Sequence, residues 1–597
     1  MHRPLLLTVL LSLGGSAAAQ AELPPKYEFR GAWIATVINL DWPTCQACDA
    51  ETQQAQLIEI LDGLQEAGIN AALFQVRAES DAFYDSPYEP WSHWLTGQQG
   101  LDPGYDPLQF AIEAAHARGM ELHAWFNPYR ADRSPDDYQP VAEHVVNENP
   151  EWILDFGSIK ILDPGLPEVR DYVATVISDV ARRYDIDGVH FDDYFYPYPP
   201  NQITNQDAET FAEYGGPLTI DNWRRYNVSR FIEQVQDSIA AARPEAVFGI
   251  SPFGIWQSGV PAGTSGLDAY DVLYADARGW LANRLVDYIT PQLYWPFGGG
   301  QDYGLLAPWW ESVRNERHFY PGIGLYRADP NTHSGSRYSA SEVPDQIRFN
   351  RATEGIQGEV FFRAKNITTF SSQGIADTLR TDLFRYPALP PPMAWRSQDA
   401  PGTPTALALA EPTDGEPGQV DLSWTAPASG DAEARFYAVY RIRTGEDGDL
   451  EAALADARNL AGVTGETAFS DVLLDGGPYT YIVTAVSANS IESAPSEPAY
   501  KGGDVAAEDR TALALRLDAP RPNPAAGPVT VPFTLAEAAD VTLRVIDVLG
   551  REVAVLVDAP RRAGSHTATW APAAAGTYLV VLDDGRQRAT RRVSVLR

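Results

Sequence analysis

The sequence predicts a multidomain chain, with an α/β domain folded as a (β/α)8 TIM barrel over residues 28–385 and two small all-β sandwich domains over 404–500 and 515–597. Eight short β-rich runs, at 29–37, 70–77, 121–127, 188–192, 247–251, 288–294, 320–326 and 359–363, alternate with helical patterns. That alternation signals a parallel sheet with crossover helices. The repeats fill ~350 residues, the size of a closed barrel with enlarged loops. Beyond them Pro387, Pro390, Pro391, Pro392 and Pro401 keep the backbone extended, so 386–403 reads as a proline-rich linker.

At the N-terminus Arg3 precedes an apolar stretch at 5–13, and Ala17-Ala18-Ala19-Gln20 follows. This is the pattern of a signal peptide over 1–20. The stretch is too short to cross a bilayer, and no later run of about 18 apolar residues exists, so the expectation is an exported chain without a transmembrane segment. Cys45 and Cys48 form a C-x-x-C. Neither a thioredoxin-like unit nor two further zinc ligands accompany them, so a local disulfide is expected.

Within 55–67, Leu57, Ile60, Leu61 and Leu64 recur at helical spacing, as do Val169, Val173, Val176 and Ile177 within 167–184. A doubly wound open sheet would need a glycine-rich phosphate loop after its first strand, and none is present. In 404–500, β-alternating runs at 420–424, 436–441 and 479–485 carry Trp424 early and Tyr479 and Tyr481 late. They resemble a fibronectin type III sandwich.

The last block opens Pro520-Arg521-Pro522-Asn523-Pro524 and continues with Val541-Thr542-Leu543-Arg544-Val545, Ala575-Gly576-Thr577-Tyr578-Leu579 and Arg591-Arg592-Val593-Ser594-Val595. It resembles the C-terminal sorting domain of the type IX secretion pathway; a plain terminal Ig-like domain is the alternative. The resemblance implies handling by that secretion machinery and a destination in the medium or on the outer-membrane surface. A net charge of −35 argues against nucleic acid or an anionic lipid surface as partner, since both need clustered Lys and Arg.

In such a barrel the reacting groups come from the C-terminal ends of strands and the loops that follow. The fourth run reads Gly188-Val189-His190-Phe191-Asp192-Asp193-Tyr194. Period-2 alternation sends Val189 and Phe191 towards the helices and His190, Asp192 and Tyr194 towards the lumen. A carboxyl at Asp192 among aromatic rings can hold a proton for donation, or stay ionised and stabilise an oxocarbenium-like centre. Asp193 is expected on the other face, either capping the loop or acting on substrate. Asp192 and Asp193 are the candidate catalytic residues, with Glu79, Asp81, Glu89 and Asp276 as other sources of a second carboxylate; Asp276 is expected to pair with Arg278.

A pyranoside needs aromatic faces for its ring and both donors and acceptors for its hydroxyls. Strand ends offer Gln75, Arg77 and Asp81 on the second run, and Trp125, Asn127, Tyr129 and Arg130 on the third. They add His190 and Tyr194 on the fourth, Gln292, Tyr294 and Trp295 on the sixth, and Arg363 on the eighth. Arg77 keeps its proton and so suits a clamp or a carboxylate partner. No cofactor is called for. A metal reading from His123, His190 and Asp192 lacks both H-x-H and H-E-x-x-H spacing.

The stretches Phe29-Arg30-Gly31-Ala32-Trp33, Phe74-Gln75-Val76-Arg77, Glu89-Pro90-Trp91-Ser92 and Ala124-Trp125-Phe126-Asn127-Pro128-Tyr129-Arg130, with 188–194 and 291–295, closely resemble the bacterial glycosyl-hydrolase-like family ten. The resemblance spans nearly the whole barrel in order. It implies a (β/α)8 fold, glycosidase activity on a polysaccharide and, from a division-site member, cleavage of peptidoglycan strands stripped of their peptides. It does not require an acid where Glu79 stands, which leaves Asp81 and Glu89 in play. The competing reading is a carbohydrate-binding or envelope protein without chemistry.

Overall fold

The computed structural model describes residues 23–135, 137–329, 337–369, 372–393, 395–412, 418–428, 430–444, 449–473, 478–502, 516–517, 520–523, 525, 527–535, 539–547, 551–561, 564–584 and 588–595. The expected signal peptide lies outside the described residues. Among them, no helix is long and apolar enough to cross a membrane.

The N-terminal domain is built on strands β1 (Phe29–Ile34), β2 (Ala71–Arg77), β3 (Glu121–Phe126), β4 (Gly188–Phe191), β5 (Val247–Ile250), β6 (Tyr288–Ile289), β7 (His318–Phe319), β8 (Gly322–Gly324) and β9 (Gly358–Phe362). They form one parallel sheet in the order β7-β6-β5-β4-β3-β2-β1-β9-β8. The two edges, β7 and β8, are pieces of a single run broken only at Tyr320-Pro321, so the sheet closes on itself around eight strand positions. Pro321 has no amide hydrogen to give the ladder, which accounts for the break. The sixth expected run is ladder-paired only at its start, and Gln292 then bridges Phe253 and Gly322.

Helices cover the outside of the sheet. Asp49 caps Ala50–Glu66 by accepting from Thr52 N at 2.8 Å, and the helix buries Leu57, Leu61 and Leu64. Pro167–Arg183 starts on a proline and buries Val169, Val173, Val176 and Ile177. Val189 and Phe191 join this outer core, as alternation along β4 requires.

The barrel interior holds a second cluster that includes Phe29, Trp33, Leu73, Trp125, Tyr288 and Val360. Tyr288 enters it because β5 offers a glycine: a Cβ on Gly249 would lie 2.0 Å from the Tyr288 ring. A polar thread crosses the same space. Trp33 Nε1 donates to His190 Nε2 at 3.0 Å, and the Tyr288 hydroxyl lies 2.9 Å from both His190 Nδ1 and His123 Nδ1. Indole is a donor only, so His190 carries its proton on Nδ1 and donates it to Tyr288. The Tyr288 hydroxyl can then donate to His123, whose Nε2 faces Glu121 at 3.1 Å.

Residues 386–403 do not behave as a free spacer. Met393 is buried with the interior cluster, and Leu389 exchanges backbone hydrogen bonds with Lys26 and Glu28. Trp395 and Arg396 both donate to Asp287, at 3.0 and 2.7 Å. The proline-rich run plugs the floor of the barrel.

Two antiparallel sandwiches follow. The first sets strands Thr405–Ala410, Gln419–Thr425 and Ala468–Val472 against Leu460–Thr464, Phe436–Arg443, Tyr479–Val486 and Ala499–Lys501, with Trp424 buried against Tyr437. It is tied to the barrel by Arg435, which pairs with Asp185 and Asp187, and by a bond from Gly465 N to His116 O. The second repeats the three-plus-four arrangement over the described parts of 516–595.

Candidate active site

At the C-terminal mouth of the barrel lies a cleft of about 390 Å³. Asp192, the first residue beyond β4, projects into it although the residue as a whole is 3% exposed. Asn127 Nδ2 and Trp125 Nε1, from the end of β3, both donate to its Oδ2, the latter at 3.2 Å. Asn127 is itself held from β2, where Gln75 Nε2 donates to its Oδ1 at 2.6 Å. Gln75 Oε1 accepts from Thr36 N and Val37 N, each at 2.9 Å, so three consecutive strand ends fix one carboxyl.

Burial pushes the Asp192 carboxyl up to about 7, with Arg130 opposing and the Asp193 charge adding to the rise. A group at that value can exchange a proton near neutrality.

Asp193 lines the same cleft. Alternation had placed it on the opposite face, but β4 ends at Phe191, and past that point the chain turns rather than pleats. Its Oδ2 accepts from the Tyr198 hydroxyl, while Oδ1 is buried with no hydrogen-bond partner. Burial raises this carboxyl too, against the Tyr198 hydrogen bond.

The other cleft walls are aromatic and amide-bearing. Trp33, Trp125, Tyr194, Phe253, Tyr294, Tyr326 and Phe362 supply ring faces, and Gln75, Gln292, Ser251 and Arg130 supply polar groups. Arg130 lies 4.1 Å over the Tyr194 ring, which orients both. Tyr194, at 40% exposed, forms the rim.

Several expected binding residues sit elsewhere. Arg77 is wholly buried, locked to both oxygens of Glu89 and to the carbonyls of Asn127 and Pro128. It braces the β3 loop, and Glu89 is its counter-ion. Asp81 is buried behind β2, where burial and Glu79 raise its carboxyl to about 7 and Gln99 donates to it at 3.3 Å. Tyr129 packs on Phe231 in the outer core.

His190 lies beneath the cleft with both ring nitrogens bonded, and burial holds it well below its ordinary value, hence neutral. With His123 also engaged, the trio of His123, His190 and Asp192 does not make a metal site. Trp295 packs edge-on against Phe253 at 5.5 Å, behind the cleft wall. Arg363 turns away to pair with Asp41 at 3.1 Å. Glu79 accepts from Trp94 and from Arg133 N. Asp276 caps the helix Ala277–Ala282 by accepting from Gly279 N rather than pairing with Arg278.

Cleft residues not singled out from sequence include Trp33, Tyr198, Ser251, Phe253, Tyr326 and Phe362. Phe362 ends β9 and Ser251 directly follows β5, so the strand-end rule alone reaches them. Tyr198 and Phe253 sit in loops, where no periodic signal operates.

A cleft at the C-terminal mouth of a (β/α)8 barrel, walled by ring faces and amides and holding two carboxyls, is of the class a glycoside hydrolase presents. Residues 28–339 match the model of glycosyl hydrolase-like 10, and the chain belongs to that family. It is 37% identical over 506 residues to Glycosyl hydrolase YngK of Bacillus subtilis (strain 168), covering 83% of this chain and 96% of that protein. It is 40% identical over 364 residues to Glycosyl hydrolase DigH of Escherichia coli (strain K12), covering 56% of this chain and 82% of that protein. Among solved structures, the PgaB (BpsB) glycoside hydrolase domain from Bordetella bronchiseptica superposes with a TM-score of 0.40 at 11% identity, over 59% of this chain and 99% of that one. Residues 522–596 match a secretion system C-terminal sorting domain, which marks the enzyme for export.

Proposed function

We propose that this exported glycosidase cleaves amino-sugar glycan strands of the peptidoglycan type, with Asp192 as the proton-transferring carboxyl and Asp193 beside it. The observation that supports the reading is the fixation of Asp192: two donors hold one oxygen inside an aromatic cleft, and burial sets its proton affinity near neutrality. Stacking faces such as Trp125 and Tyr194 suit pyranose rings, and Gln75, Gln292 and Arg130 suit hydroxyl and acetamido groups.

The fibronectin-like sandwich is read as a brace for the barrel, and the terminal domain as the address read by the type IX machinery. The test is turnover of purified glycan strands stripped of their peptides, measured as new reducing ends. Wild type is expected to release them and Asp192→Asn to lose most activity while keeping its fold. Binding of strands without any new reducing ends, by the wild type, overturns the proposal in favour of a carbohydrate-binding protein.

A further inference from the structure

Ordinary glycoside hydrolysis needs two carboxyls flanking the scissile bond, separated by about 5 Å for retention or about 6.5–9.5 Å for inversion. They normally come from different strands, so that one can face the leaving oxygen and the other the anomeric carbon. Here the facing strands offer none. The cleft residue is Gln75 from β2, Trp125 from β3, Ser251 after β5, Gln292 and Tyr294 after β6, Tyr326 after β8 and Phe362 at the end of β9. Among the described residues the only acids lining the cleft are Asp192 and Asp193, two consecutive positions on one strand end.

The ring order makes the gap concrete. The fourth strand position lies across the barrel from the eighth, which ends in Phe362 followed by Arg363, and Arg363 is turned out to Asp41. Among the described residues, therefore, no carboxylate stands on the far side of a bound sugar to attack C1 or to activate water there. Meanwhile Asp193 presents a buried Oδ1 that accepts no hydrogen bond. Such an oxygen is costly to leave unpaired and fits a donor brought by the ligand. An acetamido N–H beside the anomeric carbon is such a donor.

Resting on the amino-sugar reading above, we infer that the nucleophile is the substrate's own 2-acetamido oxygen, with Asp193 receiving the acetamido N–H and Asp192 serving the leaving group. In the first step the acetamido oxygen bonds to C1, the C1–O glycosidic bond breaks, and Asp192 gives its proton to the departing oxygen. The product is an oxazolinium held through its N–H by the Asp193 carboxylate. In the second step water adds to C1, Asp192 takes its proton, and the ring-closing C1–O bond breaks to restore the acetamide. Two displacements at C1 leave its configuration retained, and no oxidant or co-reactant is required.

The experiment uses the full-length protein on peptide-stripped strands and on aryl oligosaccharides carrying N-acetyl, N-difluoroacetyl or N-trifluoroacetyl groups at the reacting sugar. Fluorination weakens the acetamido oxygen as a nucleophile. The expected result is a fall in kcat of ~10²-fold or more from acetyl to trifluoroacetyl, retention at C1 by NMR, and competitive inhibition by the thiazoline of the reacting sugar. Asp193→Ala should lose activity on every leaving group, whereas Asp192→Ala should still release dinitrophenolate in a first-turnover burst, which needs no proton, while its steady-state turnover falls because water then lacks a base.

Equal rates on acetyl and trifluoroacetyl substrates, or inversion at C1, overturn this inference and leave the amino-sugar reading standing. Cleavage of strands lacking amino sugars in preference to these overturns both.

Discussion

Asn127 Nδ2 donates to Asp192 Oδ2 while Asn127 Oδ1 accepts from Gln75 at 2.6 Å, so the amide is oriented at both ends. An oriented donor against a carboxyl stabilises its ionised form and fixes the rotamer. Asn127→Ala is therefore expected to lower kcat/KM by ~10²-fold. It should also move the Asp192 limb of the pH profile upward, because the charged form has lost a donor. A profile that keeps its position while the rate falls would detach Asn127 from the carboxyl proposed to transfer the proton.

Asp192 also predicts a trade between activity and stability. Its folded value of about 7 lies above the ordinary carboxyl range, so between about pH 4 and pH 7 the folded chain binds more protons than the unfolded one. Stability contributed by the protonated carboxyl is then lost as pH rises through that window. Asp192→Asn removes the buried charge and is expected to be more stable than wild type by about 1–3 kcal/mol at pH 8, with the gap closing near pH 4. Denaturant midpoints at both pH values check this, and equal midpoints at pH 8 count against it.

The strands and the outer helix faces were legible in the sequence because burial repeats with period 2 or 3.6: Val189 and Phe191 went outward and His190 inward as alternation demands. Asp193 was misplaced because alternation stops where β4 stops, at Phe191, and turn geometry takes over. Arg77, Tyr129, Trp295 and Arg363, expected at strand ends, bond or pack away from the cleft, since pairings with Glu89, Phe231, Phe253 and Asp41 join residues from separate segments. No local pattern encodes those partners. The eighth-strand wall and, among the described residues, the absence of a facing carboxylate emerge only once the ring order is known.

Arg77 and Glu89 form a pair at 2.6 Å with both side chains almost fully buried. Breaking one half leaves a charge in a medium that cannot solvate it, which costs about 3–5 kcal/mol. Arg77→Met is expected to destabilise the barrel by that amount, and the double variant with Glu89→Leu should recover part of the loss. A double-mutant cycle in urea measures the coupling; strict additivity of the two losses would show that the pair does not act as one unit.

Chain truncation separates the roles of the later segments. The floor of the barrel is closed by Met393, and Trp395 and Arg396 both bond to Asp287. A cut after Tyr386 therefore strips apolar cover from the interior cluster and leaves Asp287 without two donors, so that fragment is expected to aggregate or melt well below the parent. A cut after Gly502 keeps the floor and the Arg435 pairs with Asp185 and Asp187, and removes only the sorting domain. It should retain full turnover on glycan strands while failing to reach the medium from the native host. Activity and thermal midpoints of the two fragments decide the matter: a fully stable fragment ending at Tyr386 would return the proline-rich run to the status of a spacer.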